Sequence, residues 1–356
     1  MCPDSHYYER HARIFIYLQS QMSSDMNKLR GLLILQTLII LALLAIAINA
    51  NNPPKPKYGL LSPGVYADAD PSVPKGFAIA NLDPLQAQMD TFLSANKLNV
   101  SILVQNLKNG ATMTIRSRQG FYAASLNKIP VAVLIMEKVE KGNLSMDTKL
   151  KVLDSDKSSD KGSIDSSHDS THYSELTVRE LVERMLRDSN NTALNVLFKQ
   201  MDQNDMAALL DYYNIDFNSN YHYDRSRYQG NSKFITPRAA ANMFSSLYFS
   251  TVLEPKNSEY ILSLLTGTDF NLTEAAGLPG DVVLAHKYGA YYDDSTELFH
   301  DCGIMYIGKT RFLYCVMTSD IEFDNAKHLT SIVVNQTYLF ITQTRARLDD
   351  YKKRFD

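Results

Sequence analysis

Ser125-Leu126-Asn127-Lys128-Ile129-Pro130-Val131-Ala132-Val133-Leu134-Ile135 is the stretch from which the fold can be built. From Ser125 to about Gly142 the pattern is helical. Ile129, Val131, Val133, Leu134 and Ile135 make it hydrophobic nearly all round, so the helix belongs inside a core. At its head a serine and a lysine lie on one face, a turn apart.

Upstream, Asp83 and Pro84 open a helix to about Asn96. The period then becomes alternating: Ser101 to Leu107 and Ala111 to Arg116 form a hairpin through Asn109-Gly110. Downstream, Asp154 to Thr171 is rich in Ser and Asp and reads as a solvated loop. Thr177 with Glu180 forms a capping box for a helix carrying Leu181, Val182, Met185 and Leu186, which ends at Ser189. Helices follow from about Thr192, from Pro237 through Met243, and from about Ser258 to Leu265. Strands return at Asp281 to Ala285, Cys302 to Ile307 and Phe312 to Thr318, and an amphipathic segment from Asn325 to about Leu348 closes the chain.

The fold class that results is α+β. One antiparallel sheet of five strands is built from both ends of the chain, flanked by N- and C-terminal helices, with an all-helical lobe inserted between its halves. The expected boundaries are 81–120 and 275–350 for the α/β lobe and 121–274 for the helical lobe. A Pro-rich linker over 51–80 precedes them.

With 356 residues and 45% hydrophobic content, the chain can bury a sizeable core. Net charge is −3, from 36 basic and 39 acidic residues, and no basic stripe appears, so nucleic acid is not an expected partner. Metal and nucleotide motifs are absent, and no cofactor is expected.

Gly31 to Ile48 runs 18 residues without a charge, broken only by Gln36 and Thr37. As a helix it is about 27 Å long, enough for a bilayer. Residues 31–50 are expected to be a single-pass membrane anchor, with a cleaved signal peptide ending near Ala45-Ile46-Ala47 as the rival. Arg10 and Arg13 tip residues 1–30 to the cytoplasmic side, which places everything after Asn51 outside.

Pairing Ile304–Ile307 with Arg311–Val316 across Gly308-Lys309 sets Cys302 opposite Cys315 at a non-hydrogen-bonded position. Such a pair is either a disulfide or two small buried residues. His286 and His300 read as buried structural groups.

Three clusters carry chemistry. A serine hydroxyl is a weak nucleophile without a base. Lys128 becomes one when apolar surroundings and nearby positive charge favour its neutral form, and the helix N-terminus stabilises developing negative charge. Ser189 in Ser189-Asn190-Asn191 is placed to bridge Lys128 and Lys287 and pass on a proton, with the Asn191 amide holding substrate or Lys128. In Lys287-Tyr288-Gly289 the lysine can bind a terminal carboxylate, and the glycine lets backbone approach. Taken singly, these are an N-cap, a turn and an exposed strand lysine; their order makes the argument.

In that order they resemble the class A β-lactamase and penicillin-binding protein superfamily, over roughly Leu82 to Leu348. Leu176-Thr177-Val178-Arg179-Glu180-Leu181 leading into Ser189-Asn190-Asn191-Thr192-Ala193-Leu194-Asn195 is similar to that family's helix and loop. His300-Asp301-Cys302-Gly303-Ile304 resembles its penultimate strand. The resemblance implies Ser125 as the acylated nucleophile, Lys128 as its base and Ser189 as a proton relay. Asn191, Lys287, Tyr288 and Gly289 would bind substrate, and the backbone N–H groups of Ser125 and Ala290 would form the oxyanion hole. The implied substrates are β-lactams or D-Ala-D-Ala peptides of peptidoglycan. A peptidoglycan-binding or β-lactam-sensing module with impaired catalysis is the alternative, and an esterase a third reading.

Three departures stand out. Asn190 replaces the usual Asp, and Tyr288 replaces a Thr or Ser whose hydroxyl would meet the substrate carboxylate. From Thr192 to Leu253 there is no Glu to activate a deacylating water. Asp216 or Asp224 are the candidates to replace it; otherwise deacylation should be slow.

Overall fold

The computed structural model describes residues 30, 33–41, 43–44, 59–60, 81–96, 98–158, 174–213, 234–292 and 297–353. Asp216, Asp224 and most of the Ser/Asp-rich loop lie outside the described residues. The chain divides into two units, Met1–Lys55 and Pro56–Asp356. In the first, residues 33–41 and 43–44 are helical, with apolar side chains such as Leu33 and Leu41 exposed. Among the described residues no helix is long and apolar enough to cross a membrane; residues 31–32, 42 and 45–50 of the expected anchor lie outside them.

The second unit opens with α1 (Asp83–Asn96), the hairpin β1 (Val100–Asn106) and β2 (Thr112–Ile115), then β3 (Phe121–Tyr122) and α2 (Lys128–Glu140). The hairpin turns at Gly110, whose φ of 76° favours glycine, and Asn109 Oδ1 accepts from Ala111 N at 3.0 Å. β4 (Lys149–Lys151) and β5 (Glu175–Thr177) pair ahead of α3 (Val178–Arg187) and α4 (Asn191–Phe198). The capping box forms, with Thr177 Oγ1 accepting from Glu180 N and Glu180 accepting from Thr177 N.

Next come α5 (Gln203–Tyr212), β6 (Phe234–Ile235), α6 (Pro237–Tyr248), α7 (Pro255–Leu265) and the short α8 (Leu272–Ala275). β7 (Val283–Tyr292), β8 (Glu297–Ile307), β9 (Thr310–Thr318) and α9 (Phe323–Lys353) complete the unit. The five-stranded antiparallel sheet runs β2-β1-β9-β8-β7, drawn from both sides of the helical insertion as expected.

Strand alternation gives the sheet two buried faces. Ile102, Val104, Phe312, Tyr314 and Val316 pack with Leu85, Met89 and Leu93 of α1 and with Val333 and Val334 of α9. Leu103, Leu313, Ile304 and Met317 face the helical lobe. There α2 is buried from Lys128 through Met136, as its all-round apolar pattern requires. Cys302 pairs with Cys315 in register and is joined to it by a disulfide.

Some elements differ from expectation. β7 and β8 are longer, so Lys287 and Gly289 lie within a strand and not after one. α5 was not anticipated, although Asp202 caps it and Met206, Leu209 and Leu210 have helical spacing. The start of the Ser/Asp-rich loop is packed, not solvated: Asp156 is buried, accepts from Leu153 N and pairs with Lys199. Residue 60 of the expected linker is pinned to the domain, its N–H donating to Glu259 and its carbonyl accepting from Tyr306 Oη at 2.8 Å.

Candidate active site

Ser125 sits in a tight 3-10 turn, Ala124–Asn127, that runs straight into α2. With three residues per turn, residues three apart eclipse, so Lys128 lies directly behind Ser125. The turn is entered through Ala124 at φ 45°, a left-handed conformation that costs a non-glycine residue of order 1 kcal/mol. Lys128 is 1% exposed, and its Nζ is 2.7 Å from Ser125 Oγ.

The same amine lies 2.6 Å from Ser189 O, 3.2 Å from Ser189 Oγ and 2.7 Å from Asn191 Oδ1. Four oxygens thus surround a group that has three hydrogens when charged and two when neutral. A carbonyl and an amide oxygen can only accept. In the neutral amine the two hydrogens satisfy Ser189 O and Asn191 Oδ1, leaving the lone pair for the hydrogen of the Ser125 hydroxyl. That is the arrangement of a base addressing a nucleophile.

The second cluster is a turn between two helices. α3 ends at Asp188, Ser189 takes φ 55°, and Asn190 caps α4 by accepting from Ala193 N at 2.8 Å. Asparagine is among the residues best suited to that N-cap position. The left-handed turn at Ser189 accompanies the placement of both its carbonyl and its hydroxyl on Lys128.

The third cluster depends on β7 lying against the Ser125 turn. A Cβ at Gly289 would come 3.1 Å from Ala123 O, Ala124 Cβ and Ser125 N, so only glycine fits without displacement. Lys287, two residues earlier, shares that strand face and is fully buried. Burial lowers its pKa to about 8, against the raising influence of Asp269, Asp301 and Asp188. Its Nζ donates to Tyr288 O at 3.2 Å and lies 4.2 Å from the centre of the Tyr288 ring. Among the described residues it makes no hydrogen bond to Ser189. The expected bridge is realised on the Lys128 side only, because the Lys287 amine is turned back onto its own strand.

Tyr288 is 2% exposed, stacked on Phe299 at 5.9 Å and edge-on to Phe270 at 5.9 Å. Its hydroxyl is buried without a hydrogen bond of normal geometry. Burial raises its pKa, and the Asp269 carboxylate raises it further.

Behind the site lies a buried polar network that the sequence hinted at only through its histidines. His286 Nδ1 is 2.8 Å from Asp301 Oδ2 and its Nε2 2.9 Å from Thr268 Oγ1, while Tyr314 Oη donates to Asp301 Oδ1 at 2.8 Å. Gly303 opposes His286, and a Cβ there would fall 2.5 Å from His286 Cβ. His300 accepts from Thr318 N at Nδ1 and meets Tyr122 O from Nε2, tying β3, just ahead of the Ser125 turn, to the sheet. Among the described residues no cluster of His, Cys, Asp and Glu could hold a metal ion.

An antiparallel sheet closed by terminal helices, enclosing a helical lobe whose central helix starts at a Ser-x-x-Lys turn, is the architecture of the serine β-lactamase and penicillin-binding protein superfamily. The model of the beta-lactamase enzyme family matches residues 84–339, and this chain belongs to that family. It is 22% identical over 224 residues to beta-lactamase VEB-1 of Pseudomonas aeruginosa, spanning 60% of this chain and 74% of that protein. The structure of PBP-A matches with a TM-score of 0.62 at 20% identity, covering 74% of this chain and 97% of PBP-A. TLA-3 extended-spectrum beta-lactamase matches with a TM-score of 0.65 at 19% identity, covering 73% and 99%. At these identities the structural likeness is one of fold.

Proposed function

We propose that this chain is a membrane-anchored serine acyl-enzyme hydrolase or acyltransferase of the β-lactamase and penicillin-binding type. Its substrates are β-lactams or D-Ala-D-Ala peptides of peptidoglycan, met on the outer side of the membrane. The observation that carries the reading is the amine of Lys128, 2.7 Å from Ser125 Oγ with its other partners fixed.

Ser125 Oγ attacks the carbonyl carbon as its proton passes to Lys128. The oxyanion is held by the backbone N–H groups of Ser125 and Ala290, next to the Gly289 contact that seats β7 against the turn. The C–N bond then breaks, and the proton moves from Lys128 through the Ser189 hydroxyl to the departing nitrogen. Asn191 holds Lys128 in place through its amide oxygen, which makes the NH2 the end that addresses the substrate.

Hydrolysis of the resulting ester needs an activated water. No glutamate occurs from Thr192 to Leu253, and Asp216 or Asp224 is one methylene shorter, so deacylation is slow. A related structure, that of a PBP-A mutant, is an acyl-enzyme complex with penicillin G. Anchoring is supported by the uncharged run Gly31 to Ile48.

Incubation with a fluorescent penicillin should label the protein covalently and persistently, while Ser125→Ala should stay dark. Equal labelling of the two would remove Ser125 from the reaction.

A further inference from the structure

Tyr288 stands where the family has a small hydroxyl, and its ring is packed against Phe270 and Phe299, with Phe299 in turn edge-on to Phe323 at 5.6 Å. The phenol hydroxyl offers no exposed donor, because it is buried. Lys287, the cation that would pair with an anion, is fully buried and donates one of its hydrogens to Tyr288 O. Asp269, Asp301 and Asp188 already act on that ammonium. An incoming anion would reach the fully buried amine only by displacing its neighbours, at a desolvation cost to both charges.

We propose that the acyl donors this site accepts are uncharged at the position facing Lys287 and Tyr288, so that an ester or amide there is taken in preference to a free carboxylate. The inference rests on the acyl-enzyme reading above and narrows it: Ser125, Lys128, Ser189 and Asn191 are arranged for acyl transfer, while Lys287 and Tyr288 are buried beside them, so a D-Ala-D-Ala peptide with a free C-terminal carboxylate is a poorer donor than its ester or amide. Aromatic walls favour an apolar group at that position.

A matched pair of reagents tests this. Benzylpenicillin and its methyl ester carry the same reacting ring and differ in one charge. The rate of Ser125 acylation is followed by intact-mass spectrometry on the full chain. The ester is expected to acylate at least as fast as the acid, and Tyr288→Thr is expected to shift the ratio several-fold toward the acid. A wild-type protein acylated faster by the acid, or a ratio unmoved by Tyr288→Thr in a folded variant, overturns the inference while leaving the nucleophile assignment intact. If neither reagent adds mass at Ser125, the acyl-enzyme reading fails, and this inference with it.

Discussion

His300 accepts a hydrogen bond from Thr318 N at Nδ1 and donates from Nε2 to Tyr122 O, which fixes its ring as one neutral tautomer. Full burial lowers its pKa from 6.5 to about 4, against the raising influence of its backbone contacts with Tyr122 and Phe299. The sign of the consequence follows from linkage. Between pH 6.5 and about 4 the unfolded chain binds a proton that the folded chain refuses, so stability falls as the pH drops through this window. The full loss is on the order of 3 kcal/mol. Since His300 holds Tyr122 of β3, three residues ahead of Ser125, acid should loosen the Ser125 turn. Denaturant titrations at pH 7 and pH 4.5 should show a smaller difference for His300→Gln than for the wild type. An identical pH dependence would mean that other groups govern acid sensitivity.

At the scale of elements, the contact that matters most is β7 against the Ser125 turn. Gly289→Ala places a methyl 3.1 Å from two backbone atoms, Ala123 O and Ser125 N, neither of which can rotate away. The strand must retreat by a few tenths of an ångström, which moves Ala290 N–H away from Ser125 N–H, the pair proposed to hold the oxyanion. Acylation is expected to slow about tenfold or more, with the thermal midpoint shifted only slightly. A stopped-flow acylation rate equal to wild type would show that β7 does not set that geometry. The sequence made this region readable in part. α2 was legible because its apolar residues leave no polar face, and the β1–β2 turn because Asn109-Gly110 has one good conformation. α5 was overlooked in spite of its periodic apolar residues, and the two-residue β3 and β6 carry no periodicity to find. Ser125, Lys128, Ser189 and Asn191 converge as their spacing suggested. The inward turn of Lys287 and the packing of Tyr288 were not legible, because both depend on rings and carboxylates brought in by Phe270, Phe299, Asp269 and Asp188 from other elements.

Across the whole molecule, the site is assembled from parts of the chain far apart in sequence. Ser125 comes from the 3-10 turn ahead of α2 and Lys128 from the first residue of α2, Ser189 from the turn before α4 and Asn191 from its first residue, and Lys287 and Gly289 from a strand that follows the entire helical lobe. The sheet cannot be completed until that lobe has been passed, since β1 pairs with β9. All of these residues belong to the Pro56–Asp356 unit. Leu60 marks where that unit begins to be held, through Glu259 and Tyr306. A chain starting at residue 57 keeps this clasp and loses the uncharged run Gly31 to Ile48. If that run anchors the protein, the full chain should sediment with membranes, resist a high-salt wash and be released by detergent. The shortened chain should stay in the supernatant and still be labelled by fluorescent penicillin at Ser125. Recovery of the full, uncleaved chain in the soluble fraction would refute the anchor, and loss of labelling on truncation would show that the first unit takes part in building the site.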